Sequence, residues 1–172
     1  MNLVFRFLWM WVAAQLGAAE DIAGEGRQAF RCLPHDLDVN MHMTNSRYHS
    51  FMDIARINFM IRNGAWRRAR RAGLFPVLGS SSIRFRRPIS LFRRFTVTTR
   101  VASWDDRWIY LEQRFLAGAD TAAIALVKTT FIGKNGRMPT DELVKLMGYP
   151  AAKPEFGELL TAKDALDRLL VA

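Results

Sequence analysis

The sequence predicts an α+β fold in which one long helix is followed by several antiparallel strands. A wide apolar stripe at three- and four-residue spacing runs over residues 46–62, as expected for a largely buried helix. Four later stretches are rich in β-branched and aromatic residues, and turn signals separate them at intervals of roughly ten residues. This spacing favours antiparallel pairing in a meander. A length of 172 residues suits one domain with a substantial core.

The amino-terminal segment, residues 1–26, is apolar and allows three interpretations. Its apolar run is shorter than the about 20 residues that a membrane span needs, and Arg6 and Gln15 interrupt it. Our first expectation is a helix or strand packed on the domain. The alternatives are an interfacial anchor that places Trp9 and Trp11 at headgroup depth, and a signal peptide.

A linker over residues 20–26 leads into a first strand at residues 28–33, which Pro34 ends because it lacks a ladder donor. Asn45 is the expected cap of the long helix, and Gly64 its end. Two apolar rows along this helix indicate that other elements wrap it. The rows contain Tyr48, Phe51, Met52, Ala55 and Phe59, and Ile54, Ile57 and Ile61. The opposite, polar side contains Ser46, Asp53, Arg56 and Arg62.

Strands account for most of the remaining chain. After a short basic helix at residues 65–72, the predicted strands cover residues 75–85, 95–104, 107–117 and 121–132. Helices are predicted from Thr140 and, with a capping-box sequence, over residues 161–170. We therefore divide the chain into an apolar segment with linker (1–26), a central domain (27–139) and a helical extension (140–172).

Polar residues are concentrated in residues 33–48, just before and within the start of the long helix. This stretch contains two His, two Asp and two Asn. A helix start leaves backbone N–H groups without partners and carries a partial positive charge, which favours a carbonyl oxygen or an anion there. Asp38 lies seven residues before Asn45. An acid beside a helix start is a minimal arrangement for attack on a carbonyl.

The pattern Asp38-x-x-x-His42-x-Thr44-Asn45-x-x-Tyr48 resembles the active-site signature of the 4-hydroxybenzoyl-CoA-type thioesterases of the hotdog fold. Residues 82–88 and 104–112 resemble strands of the subgroup similar to thioesterase superfamily member six. The chain departs from the usual pattern at two positions, where Met41 replaces a common Gly and Thr44 replaces the first of two Asn. The resemblance implies a hotdog fold, a curled antiparallel sheet around a central helix.

This resemblance also implies hydrolysis of an acyl-CoA thioester to the free acid and CoA. Asp38 would be the nucleophile or the general base. His42 would orient the loop, and backbone N–H groups near Asn45 would polarise the thioester carbonyl. Tyr48 would form core or line an acyl tunnel. Three arginines, Arg84, Arg86 and Arg87, would bind the CoA phosphates.

Less specific explanations exist for the same residues. Asp is common in turns, so Asp38 could serve only as a turn cap, and Asp36 could share the acid role. Cys32 is expected to be a core residue rather than a nucleophile, and a single cysteine excludes an internal disulfide. His and Cys are too few and too poorly spaced for a zinc site, so we expect neither a metal nor a cofactor, with coenzyme A entering only as part of the substrate.

The net charge of +9 indicates a polyanionic partner or a basic solvated surface. We expect a thioester of CoA or of acyl carrier protein and, without a recognisable binding motif, no nucleic acid. The family's sites form between subunits, which implies a homodimer or a dimer of dimers. The predicted location is cytoplasmic, with membrane association possible through the amino terminus. The alternative function is a non-catalytic acyl-binding or membrane-associated hotdog protein.

Overall fold

A computed structural model describes residues 2–16 and 19–149, and within the first helix it leaves several side chains undescribed. The predicted helix at residues 161–170 and the side chain of Trp9 lie outside the described part. The helices are α1 (Asn2–Leu16), α2 (Asn45–Arg62), α3 (Ala65–Arg71) and α4 (Thr140–Met147), with a 3₁₀ turn at Pro34–Asp36. The strands are β1 (Gly26–Arg31), β2 (Phe75–Phe85), β3 (Arg94–Trp104), β4 (Ile109–Ala117), β5 (Asp120–Gly133) and β6 (Gly136–Arg137).

The sheet is antiparallel, with the order β1-β3-β4-β5-β2 and β6 paired to the end of β5. Among the strands β1 to β5, only β3, β4 and β5 pair consecutively, as in a meander. The expectation of sequential pairing was wrong for β2, which pairs with β5 and forms one edge of the sheet. β1 forms the other edge against β3. The chain from β2 to β3 therefore crosses from one edge of the sheet towards the other.

Helix α2 fills the concave side of the sheet, as its apolar stripe predicted. Tyr48, Phe51 and Met52 are almost wholly buried and belong to one large core with the strands. Gly26 of β1 lies so close to this helix that an added Cβ would come within 2.5 Å of the Phe59 ring. The close approach of strand and helix therefore requires glycine at position 26.

Helix α1 packs against the second apolar row of α2, which confirms the packed-helix interpretation of the amino-terminal segment. Met10 and Ala14 are buried against Ile54, with Ile57 and Ile61 at the margin. The outward side of α1 remains apolar and exposed at Phe5, Leu8, Trp11 and Val12. No helix within residues 2–16 and 19–149 has both the length and the apolar character needed to cross a bilayer.

Candidate active site

The loop between β1 and α2 is a compact structure held from two sides. Leu37 and Met43 form an antiparallel bridge, and the amide of Asp38 donates to the carbonyl of His42 at 2.9 Å. On the outer side, His42 bridges to Ser90, and the amide of Met43 donates to the carbonyl of Ile89 at 2.9 Å. The site loop, residues 33–44, is therefore fixed against the loop that joins β2 to β3.

Asp36 is the buried anchor of this loop. Its carboxylate is 1% exposed and accepts hydrogen bonds from Arg6 at 2.8 and 3.2 Å and from the amide of Leu33 at 2.9 Å. The Arg47 guanidinium approaches it to 3.5 Å. Asp36 thus joins α1, the site loop and the first turn of α2. A carboxylate so enclosed is a structural group, so the structure gives it no share in the acid role considered above.

Asp38 differs from Asp36 in its surroundings. Its side chain is exposed, and one carboxylate oxygen accepts the amide of Asn40 at 2.8 Å in a local turn. The amide of Met41 donates to the Asp38 carbonyl at 3.1 Å, which closes the turn. The carboxylate keeps free acceptor capacity because an ionised carboxylate offers about four lone-pair sites.

Met41 ends this turn in a left-handed backbone conformation, with φ of 59°. A side chain in this region costs roughly 1–2 kcal/mol, whereas glycine adopts it readily. The common Gly noted above for this position would adopt this conformation without that cost, whereas Met41 adopts it with a side chain.

The long helix begins one residue earlier than expected. Thr44 occupies the cap position with extended backbone angles and makes no cap hydrogen bond through its side chain, and Asn45 is the first helical residue. The expectation that Asn45 caps the helix was wrong, although a one-residue difference is usual at helix ends. Asn45 is exposed, His42 is half-buried, and both lie beside the helix start. Among the first backbone N–H groups of α2, that of Arg47 donates to the carbonyl of Thr44 at 2.9 Å.

Tyr48 and Cys32 belong to the core beneath the loop. The Tyr48 ring packs edge-on against Phe85 at 4.9 Å and at a tilt against Phe115 at 4.8 Å, and its side chain is buried in the core. Burial raises the pKa of Tyr48 to about 12. Burial, aided by the nearby Asp36 carboxylate, raises the pKa of the Cys32 thiol to about 11. Neither group ionises near neutral pH, and Cys32 is the core residue that the sequence predicted.

The predicted phosphate-binding arginines follow one another at the end of β2 and are exposed. Arg87 pairs with Asp120 at 3.2 Å, and Arg84 and Arg86 are exposed next to it. Arg93 adds a guanidinium that donates to the carbonyl of Ala117 at 3.2 Å. Arg87 and Arg93 line an open cleft of about 770 Å³ between the β2–β3 loop and the β4–β5 turn. The β2–β3 loop is the one that holds the site loop.

Sequence reasoning missed a second feature, an apolar cavity of about 340 Å³ between α2, the sheet and α4. It also placed Arg56 on the solvent side of α2, which was wrong. The Arg56 side chain is only 13% exposed and donates to Gln113 of β4 at 2.8 Å. The pattern of apolar residues along α2 carries no signal for this contact, because it depends on how far the sheet curls around the helix.

In the described part of the chain, no group of three or more His, Cys, Asp or Glu side chains is placed to hold a metal ion. The curled sheet around α2, preceded by an acid-bearing loop at the helix start, defines a protein of the hotdog class. Comparison with known proteins refines this class.

The family model described as thioesterase-like superfamily matches residues 32–162. Protein THEM6 of Xenopus laevis is 33% identical over 141 residues, which cover 81% of this chain and 67% of that protein. The probable thioesterase YBR096W of Saccharomyces cerevisiae is 29% identical over 106 residues, covering 60% of this chain and 46% of the relative. The chain thus spans about half to two thirds of the length of these relatives. The crystal structure of the YbaW probable thioesterase from Escherichia coli superposes with a TM-score of 0.67 at 21% identity, covering 70% of this chain and 95% of that one.

The chain belongs to the thioesterase-like superfamily.

Proposed function

We propose that the protein hydrolyses the thioester bond of an acyl-CoA, with Asp38 as nucleophile or general base. Membership of the superfamily supports thioester hydrolysis in general. The observation that carries the assignment to Asp38 is the contrast within one loop: Asp36 is enclosed by cations, whereas Asp38 is exposed, and this loop leads directly into α2. An acid must reach the substrate to act on it, and in this loop only the Asp38 carboxylate is accessible.

The helix start supplies the electrostatic part of the proposal. N–H groups at the start of a helix and the positive end of the α2 dipole would stabilise the oxygen that gains negative charge when the thioester carbonyl is attacked. His42 and Asn45 flank this position and would orient the loop and the thioester. Attack by Asp38 would give an acyl-enzyme anhydride and release CoA, and water would then hydrolyse the anhydride. As general base, Asp38 would instead take a proton from the attacking water.

The exposed arginines support CoA as the thioester carrier. CoA carries a 3′-phosphate and a diphosphate, and guanidinium groups bind such oxygens through paired hydrogen bonds. Arg84 lies near the end of β2, Arg86 and Arg87 follow directly after it, and Arg93 lines the same cleft as Arg87. An acyl carrier protein would present one phosphate and an acidic surface instead. These arginines can bind either carrier. Because several guanidinium groups lie close together, they favour CoA, which carries three phosphates.

A second subunit would complete the site. Among the described strands, β2 pairs only with β5, and its exposed apolar residues are Phe75, Val77, Leu78 and Phe85. An exposed edge strand with apolar side chains is a template for pairing with another chain. We therefore propose a homodimer through β2, with residues 27–139 as its hotdog domain and residues 1–26 and 140–172 as extensions.

Steady-state hydrolysis of a series of acyl-CoA esters of different chain length, followed by thiol release, tests the activity. We expect Asp38→Asn to lower kcat/KM by about 10²-fold or more, the usual contribution of a positioned acid–base group. Asp106→Asn removes an exposed acid from the turn between β3 and β4 and serves as the matched control. Full activity in Asp38→Asn would exclude the proposed role of this carboxylate.

A second candidate is a membrane-associated hotdog protein that binds acyl groups without hydrolysis. The outward face of α1 favours it, because Leu8 and Trp11 are about half exposed in a basic protein. Such a face can lie in the headgroup region of an anionic bilayer. Co-sedimentation with phosphatidylserine vesicles that Leu8→Glu abolishes would support this candidate. Equal amounts of wild-type and variant protein in the pellet would count against it.

A further inference from the structure

The apolar cavity lies deeper along α2 than the loop that carries Asp38. Its walls come from the second half of α2, from strands β2 to β5, and from residues that border the domain at both ends. Among them, Ile22 precedes β1, and Val144, Met147 and Tyr149 belong to or follow α4. The Tyr149 ring packs edge-on against Trp104 at 5.1 Å and helps to close the cavity. A volume of about 340 Å³ lies within the range of small-molecule sites.

Most polar groups in the wall are already engaged in the structure itself. The Asn63 side-chain oxygen accepts the amide of Ala65 at 3.0 Å, and the Thr129 hydroxyl donates to the carbonyl of Val77 at 3.1 Å. The charged lining residues in the described part of the chain are Arg56 and Asp53. An apolar cavity with one charged pair in its wall matches a ligand with an apolar tail and a charged head.

The Arg56 guanidinium is held in position by a hydrogen bond on its sheet side. Its Nη1 donates to Gln113 Oε1 at 2.8 Å, and Gln113 in turn donates to the carbonyl of Met52 and to the Thr99 hydroxyl at 3.1 and 2.9 Å. The other arm, Nη2, pairs with Asp53 one helical turn earlier, whose side chain is 60% exposed. A buried cation is thus held rigidly by neutral groups and neutralised by a carboxylate that can return to water at little cost.

We propose that this cavity is a binding site for a medium-chain carboxylic acid such as dodecanoate, whose alkyl tail fills the cavity and whose carboxylate replaces Asp53 on Arg56. The site is separate from the proposed thioester site. Arg56 lies eleven residues beyond Asn45, which places it about 16 Å along the helix axis from the helix start. A carboxylate on Arg56 therefore cannot occupy the position of the thioester carbonyl.

Isothermal titration of the full-length protein with dodecanoate, and separately with dodecanol, tests the proposal. We expect dodecanoate to bind with 1:1 stoichiometry and dodecanol to bind at least about tenfold more weakly, the value of a charge-assisted hydrogen bond. Val101→Phe, which adds volume at a half-buried wall position, should reduce dodecanoate binding strongly. Thermal unfolding of each variant verifies that it is folded.

Asp53→Asn is the most decisive variant, because we expect it to increase the affinity for dodecanoate, and a damaged fold would not do so. Removing the competing carboxylate should tighten dodecanoate binding roughly fivefold and leave dodecanol unaffected. Asp106→Asn makes the same charge change at a distance and should have no effect. Arg56→Gln should remove the preference for the acid over the alcohol.

Binding in Asp38→Asn separates this proposal from the hydrolase proposal. We expect that variant to bind dodecanoate as the wild type does, whether or not it hydrolyses thioesters. Equal affinity for acid and alcohol, an unchanged affinity in Asp53→Asn, or undisturbed binding in Val101→Phe would each overturn the proposed site.

Discussion

Two aspartates separated by one residue have opposite roles in the site loop, and this difference exists only in three dimensions. In the sequence, Asp36 and Asp38 stand in the same polar stretch and fall on the same side of an extended segment. The fold encloses Asp36 between Arg6 and Arg47, which come from helices on either side of the loop. Asp38 is left on the surface with one local hydrogen bond.

The two sites should therefore respond differently to removal of charge. Asp36→Asn leaves Arg6 and Arg47 beside a neutral group, and we expect a loss of about 3 kcal/mol in the free energy of unfolding. Asp38→Asn should cost no more than about 0.5 kcal/mol, since Asn can accept the same amide in the turn. Urea denaturation with equal m-values measures both. Similar losses of unfolding free energy in the two variants would contradict a structural role for Asp36 and a chemical role for Asp38.

Side-chain roles were predicted unevenly from the sequence. The signature around Asp38 and the burial of Cys32 could be predicted, because both follow from local residue order. The positions of Asp36 and Arg56 could not. Asp36 is held by a residue 30 positions away and Arg56 by one 57 positions away, and no local pattern records such partners.

At the level of helices and strands, the convex face of the sheet shows how a buried acid is stabilised. Glu112 of β4 is 5% exposed and stands opposite Arg100 of β3 in the register. It accepts hydrogen bonds from Arg100 at 3.2 Å and from Arg114 at 2.6 Å. Burial alone would raise the pKa of Glu112, but these two arginines outweigh it and the pKa is lowered.

This lowered pKa predicts an acid-sensitive pair of strands. The folded state binds fewer protons at Glu112 than the unfolded state does, so its contribution to stability is complete above the unfolded pKa, about 4.5, and is lost as the pH falls below it. Glu112→Gln should flatten the dependence of the unfolding free energy on pH between about 5 and 3. The exposed Glu142 of α4 provides the control, and a slope unchanged in Glu112→Gln but reduced in Glu142→Gln would refute the assignment.

Element boundaries were predicted well, whereas the strand order was not. β2 coincides with its predicted range, and β3 to β5 begin and end within two residues of theirs, because β-branched runs and turn residues mark both. The pairing of β2 with β5 depends on a crossover past two intervening strands, and turn chemistry does not encode that choice. The strand order therefore follows from the structure and not from the sequence.

For the whole molecule, the feature with the clearest consequence is the side of β2 that pairs with no other strand within residues 19–149. Val77 is 39% exposed on this edge. If two protomers pair there, Val77→Lys should shift the protein from dimer to monomer in sedimentation velocity runs, because charge on an edge strand opposes pairing. Val39→Lys puts the same charge on a valine that is 97% exposed in the site loop and should leave the dimer unchanged. A wild-type protein that sediments as a monomer at micromolar concentration would contradict the proposed assembly.

The ion pair between Arg6 and Asp36 links the amino-terminal helix α1 to the loop that carries Asp38. Withdrawing α1 would strip a buried carboxylate of its main counter-charge two residues before Asp38, and the loop would have to reshape itself to hydrate that group. Any interaction that pulls α1 away from the domain therefore also disturbs the backbone that carries Asp38. The packing of the first helix and the position of the Asp38 carboxylate are energetically coupled.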